Sequence, residues 1–135
     1  MLTQKEIDKL KALFSTYSEV EAVYLFGSAA AGNRNKMSDI DLGIVYNDDS
    51  ITQKKVDLYA ELVKKGFEKA DIVFFNSADL VLQFEIIHHN QLIYSKKGFK
   101  HGKLFSKTIR KYFDFEPYLI RQQKAYKKRA LNDED

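Results

Sequence analysis

The stretch Leu25 to Val45, LFGSAAAGNRNKMSDIDLGIV, decides how this chain is read. A β-branched and aromatic run from Val20 to Phe26 stops at Gly27-Ser28, as a strand entering a tight turn does. Ten residues follow Ser28 before Asp39-Ile40-Asp41 opens a second apolar run, which closes at Tyr46 ahead of Asn47-Asp48-Asp49-Ser50. Side chains alternate along a strand, so Asp39 and Asp41 share one face while Ile40 points into the core. Their Cα atoms are expected about 6.6 Å apart, at about 3.3 Å of rise per residue. Like charges on neighbouring positions of a strand face repel. Joint oxygen ligation of one hard cation, or of two lying about 3.5–4 Å apart, removes that cost.

The turn before these carboxylates supplies complementary chemistry. A glycine at 27 lets the backbone approach a ligand closely. The Ser28 hydroxyl and the N–H groups of the following alanine turn can hold phosphate oxygens, as helix N-termini do. Asp71 heads a third apolar run, Ala70 to Phe75, and can bring a third carboxylate to the same place. Three carboxylates, Mg²⁺ and a phosphate-holding turn are the components of nucleotidyl transfer. One metal ion lowers the pKa of an attacking hydroxyl, a second stabilises the leaving pyrophosphate, and a carboxylate takes the proton.

The remaining chain supplies a scaffold. Thr3 and Glu6 stand at capping-box spacing before Ile7, Leu10 and Phe14, which predicts a helix over 3–17. Val56, Tyr59, Val63 and Phe67 recur at helical spacing between 52 and 67. Ser77 or Asp79 can cap a helix that carries Leu80, Phe84 and Ile87 on one face, and 91–95 reads as a short fourth strand. Asp114 before Phe115-Glu116-Pro117 reads as a fresh helix start, since proline is tolerated in a first turn, so two basic helices are expected over 99–112 and 115–131. The fold class is α+β: a small mixed sheet of about four strands with helices packed on it, forming a single domain over 1–135. Its catalytic core is 1–95, followed by a basic helical segment over 96–131.

Composition narrows the function classes. The 135 residues are 44% hydrophobic and include ten Phe and eight Tyr, enough for a packed core. There is no cysteine, which excludes thiolate catalysis, disulfides and Cys-type zinc sites and makes a cytoplasmic address the expectation. No apolar run reaches the roughly 18 residues of a membrane span, and the first residues lack a signal-peptide core. The net charge of +3 is unevenly spread. Residues 1–95 carry 10 basic and 14 acidic side chains, and residues 96–135 carry 12 basic and 5 acidic ones.

Gly-Ser, ten residues, then Asp-x-Asp resembles the signature of the DNA polymerase β-like nucleotidyltransferase superfamily. The short length, the strand ADIVFF and the segments FEIIHHNQLIYSKKG and YFDFEPYLIRQQKAYKKR resemble its minimal branch, the MNT-type proteins encoded beside HEPN-domain toxins. The resemblance implies a polymerase β-like fold in which Gly27 and Ser28 hold the triphosphate of ATP. It also implies that Asp39 and Asp41 bind Mg²⁺ and that Asp71 is the third carboxylate and base. The implied reaction adenylylates a tyrosine hydroxyl of a HEPN RNase toxin, so that this chain is the antitoxin of a hetero-oligomer. Relatives usually carry arginine within the turn, where this chain has GSAAAG; Arg34 and Lys36 are the basic residues that can take over phosphate contact.

Other features are read more plainly. His88-His89 ends a helix, where imidazolium complements the dipole, and adjacent helical positions do not make a ready metal pair. His101 has no partner at a ligand spacing and stays unassigned. Tyr112, Phe113, Phe115, Tyr118 and Tyr126 read as helix packing or a partner-facing strip before they read as a base-stacking surface. Arg121, Lys124, Lys127, Lys128 and Arg129 read as a solvated helix face or a docking surface. Two rival functions stay open: a non-catalytic module that neutralises the toxin by binding, and an RNA-binding protein using the basic helices, which the acidic body disfavours.

Overall fold

The computed structural model describes residues 2–27 and 40–133. Helix α1 (Gln4–Phe14) begins at the expected capping box: the Glu6 N–H donates to Thr3 Oγ1 at 3.1 Å and the Thr3 N–H donates to Glu6 Oε1 at 3.0 Å. Strand β1 (Val20–Phe26) leads into Gly27, and β2 (Ile40–Tyr46) follows. A 3₁₀ turn (Asp49–Lys54) runs into α2 (Lys55–Lys64), then β3 (Ala70–Phe74), a second 3₁₀ turn (Phe75–Ser77), α3 (Leu80–His88), β4 (Leu92–Ser95) and α4 (His101–Asp133). The sheet order is β3-β2-β1-β4, with β1 antiparallel to both neighbours and β2 parallel to β3. This is the mixed α+β architecture expected from the sequence.

Alternation along the strands splits the core into two layers. Val23, Leu25, Ile40, Leu42, Ile44 and Ile72 face α1 and α2, where Leu10, Phe14, Leu58 and Leu62 cover them. Ala22, Tyr24, Phe26 and Val45 face α3 and α4, where Ile86 and Ile87 are fully buried. Gly43 belongs to this second layer. A Cβ there would meet Ile86 Cγ2 at 2.5 Å, so glycine is what lets α3 cross close over β2.

Two expectations about helices are corrected. In α2 and just beyond it the sequence singles out Val56, Tyr59, Val63 and Phe67 at helical spacing; Phe67 is buried and Tyr59 half-buried, but Val56 and Val63 are 80% and 51% exposed while Leu58 and Leu62 are fully buried. Both sets recur at helical spacing, and the sheet selects the one carrying the leucines. The C-terminal region forms one helix, α4, with Pro117 inside it, rather than two. Proline there removes the N–H that would reach the carbonyl of Phe113. Phe113 is itself 59% exposed, so water can take that carbonyl and the helix runs on.

The first turns of α4 are tied to β1 through a buried hydroxyl. Tyr24 has no exposed surface, and its Oη lies 2.7 Å from His101 Nδ1. Burial pushes the Tyr24 hydroxyl well above the usual tyrosine range, so it keeps its proton, and the His101 tautomer sets which of the two groups donates. His101, unassigned from sequence, is therefore the partner that a buried tyrosine requires. Tyr24→Phe removes this bond and leaves His101 Nδ1 without it; unfolding free energy in urea should fall by about 1 kcal/mol, with α4 the first element to lose protection in hydrogen exchange.

Candidate active site

Gly27, Asp41 and Asp71 converge at one end of the sheet. Asp41 is the register partner of Phe26 on β1 and of Asp71 on β3. In a parallel pair, register partners point the same way, and Leu42 and Ile72 are committed to the α1–α2 layer. Asp41 and Asp71 therefore stand side by side on the α3 face, with Asp41 half-buried and Asp71 exposed. The antiparallel run of β1 brings Gly27 to the same end.

Gly27 is held at φ +74°, in the left-handed region where side chains are strained. A Cβ on it would also overlap the Asp41 carboxylate, lying 3.2 Å from Asp41 Cγ. The absent side chain thus leaves room for the carboxylate itself, in addition to any closer approach of a ligand to the turn. Both demands select glycine at the end of this strand.

Asp71 is anchored by a residue that sequence reasoning placed only on a helix face. Tyr59 of α2 reaches the outer edge of β3, accepts the Ile72 N–H at 2.9 Å, and donates its hydroxyl to Asp71 Oδ1 at 3.0 Å. One phenol covers an edge-strand donor and fixes a carboxylate rotamer. Burial raises the Tyr59 pKa, with the Asp71 carboxylate adding to the rise, so the hydroxyl stays a donor through the neutral range. The signal available in the sequence was a tyrosine at a half-buried helical position, whose hydroxyl must find a partner.

Of the remaining expected residues, Ser28, Arg34, Lys36 and Asp39 lie outside the described residues, as does the turn through the alanines. Two carboxylates sharing a face under a glycine suit a hard divalent cation such as Mg²⁺, which takes oxygen donors and keeps part of its water shell. The basic side chains Lys100, Lys103, Lys107 and Arg110 line a cavity of about 560 Å³ with Glu21 and Phe99. Glu21 lies near the start of β1, so this cavity is at the end of the sheet opposite Gly27. Among the described residues no helix is long and apolar enough to cross a membrane.

An end-of-strand glycine beside a carboxylate pair on a small mixed sheet is an arrangement suited to transferring a nucleotidyl group. The sequence agrees: the chain belongs to the Polymerase beta nucleotidyltransferase family, whose profile matches residues 8–98. Among solved structures, it is similar to a toxin–antitoxin complex with AMP-PNP at 23% identity and a TM-score of 0.68, over 93% of this chain and 98% of the other. It is also similar to the toxin–antitoxin MntA–HepT, at 22% identity and a TM-score of 0.65, over 96% and 99% of the two chains. A third likeness, at 21% identity and a TM-score of 0.65 over 96% and 99%, is to a tri-AMPylated Shewanella oneidensis HEPN toxin in complex with MNT antitoxin. At these identities the likeness is one of fold. No curated protein matches the chain by sequence.

Gly27→Ala carries two separable costs, the left-handed backbone and the collision with Asp41. The backbone contribution is about 1–2 kcal/mol. In a double-mutant cycle, Asp41→Ala should recover the rest, giving a coupling above about 0.5 kcal/mol in urea unfolding; strict additivity would show that the glycine serves the backbone alone.

Proposed function

We propose that this protein transfers AMP from ATP to a tyrosine hydroxyl of a HEPN-domain partner, and that the transfer makes it the antitoxin of that partner. The observation that carries the reading is the convergence of Gly27, Asp41 and Asp71 in a chain of the Polymerase beta nucleotidyltransferase family. The partner and the AMP transfer are suggested by the HEPN toxin–MNT antitoxin complex of the same fold, in which the toxin is AMPylated; the tyrosine acceptor is what the family resemblance implies.

In this reading Asp39, Asp41 and Asp71 hold Mg²⁺, as two ions, through carboxylate oxygens. When bound, the ions make the acceptor hydroxyl more acidic and offset the charge that builds on the departing pyrophosphate. Asp71 takes the proton of the tyrosine hydroxyl. The tyrosine oxygen forms a bond to the α-phosphorus as the bond to the β-phosphate bridge breaks, and pyrophosphate leaves with that electron pair. The Gly27-Ser28 turn holds the triphosphate by backbone N–H groups and the Ser28 hydroxyl, and Arg34 and Lys36 supply positive charge that GSAAAG itself lacks. Tyr59 restrains the Asp71 carboxylate through its hydroxyl. The reading assigns acceptor recognition to the complex, in which the partner presents its own tyrosine. The cysteine-free composition fits a cytoplasmic site of action.

Mixing the chain with ATP, Mg²⁺ and the HEPN protein encoded beside it should raise the partner's intact mass by AMP. Asp41→Asn should slow the transfer by about 10²-fold or more, since metal-assisted charge stabilisation is worth several kcal/mol. Asp39→Ala with Asp41→Ala should abolish it. A wild-type complex that forms without any mass gain refutes the transferase reading. A double variant that still silences the toxin at equal expression would instead establish neutralisation by binding alone.

A further inference from the structure

We infer that the C-terminal end of α3 is a binding site for a borderline divalent cation of the Zn²⁺, Co²⁺ or Ni²⁺ class, built from Glu85, His88 and His89. A carboxylate oxygen of Glu85 and one ring nitrogen from each histidine all lie within 4.8 Å of one another. His88 and His89 stand at the helix end as the sequence places them, and although adjacent helical positions are not expected to make a ready metal pair, their ring centroids are 4.2 Å apart and Glu85, one turn back, closes the triangle. Tetrahedral coordination at about 2.1 Å places ligand atoms about 3.4 Å apart, which side-chain rotation can reach because Glu85 and His88 are exposed. Phe84 stacks on His88 at 5.1 Å and on Tyr112 of α4 at 3.8 Å, so one ligand ring rests on a packed wall. The negative end of the α3 dipole favours a cation at this place.

The donor set is what separates this site from the carboxylates on β2 and β3. Imidazole with one carboxylate selects borderline transition ions, whereas Mg²⁺ prefers oxygen throughout. Three protein ligands leave a coordination position for water or a further group. Gln91, two residues past His89, accepts the Leu25 N–H at 2.8 Å through its carbonyl, so the cation site lies on the β4 side of the sheet end that carries Gly27. The inference does not depend on the proposed reaction.

The chain has three histidines, and His101 is already held by Tyr24, which makes it an internal reference. In a Zn²⁺ titration of the Asp41→Asn protein followed by nitrogen NMR of the imidazoles, His88 and His89 should shift together at one equivalent while His101 stays put. Glu85→Gln should weaken binding by about tenfold or more, since losing even outer-shell support of a ligand costs about that much. A titration that moves none of the rings, moves all three alike, or is unaffected by Glu85→Gln overturns the assignment. Circular dichroism of the metal-free variants confirms that the fold is intact in each case.

Discussion

Parallel pairing of β2 with β3 aligns Ile40 with Ala70, Asp41 with Asp71 and Leu42 with Ile72, and the rest of the molecule follows from that register. Three apolar pairs, Ile40–Ala70, Leu42–Ile72 and Ile44–Phe74, commit one face of both strands to the layer covered by α1 and α2. The two aspartates then have no choice but the other face. A slip of one residue in either strand would turn its carboxylate into the apolar layer under α1 and α2, a change the core cannot accommodate. The placement of the two carboxylates on one face is thus enforced by apolar burial on the opposite side of the same strands.

Close approach is the second theme, and two glycines mediate it. Gly43 lets Ile86 of α3 settle on β2, and Gly27 leaves space for the Asp41 carboxylate at the end of β1. The helix layer and the carboxylate are therefore fitted to strand positions that have no side chain. The family's profile covers residues 8–98, the part of the chain in which all of these contacts fall.

How much of this was legible in the sequence depended on whether the signal was local. Strand β1 was read residue for residue, because β-branched and aromatic residues run unbroken to Gly27. The capping box of α1 was equally plain. The buried face of α2 was misjudged, because two sets of apolar residues share its period and only the sheet decides between Leu58–Leu62 and Val56–Val63. Asp114 with Pro117 behind it predicts a helix start, but an exposed carbonyl in water costs little and the helix passes through. The Asp39-Ile40-Asp41 and Asp71 pattern was visible, but the Tyr59–Asp71 and Tyr24–His101 hydrogen bonds were not, since each joins residues that spacing along the chain does not relate. The partial signal for both was a tyrosine in an apolar setting, which always leaves a hydroxyl to satisfy.

Helix α4 is fastened to the body at one end and bare at the other. Leu104, Phe105, Thr108, Ile109 and Tyr112 pack or stack against the sheet layer and α3, whereas every residue from Arg121 to Leu131 is exposed. Starting a helix is the costly step and lengthening one is cheap, so the fastened turns serve as a standing nucleus from which the bare turns extend. The outer part needs no core of its own. It keeps helical form at marginal stability, out to about 30 Å beyond Tyr112 at about 1.5 Å per residue. Its Tyr126 and Leu131 thereby stay available as apolar surface that the folding of this chain alone does not consume.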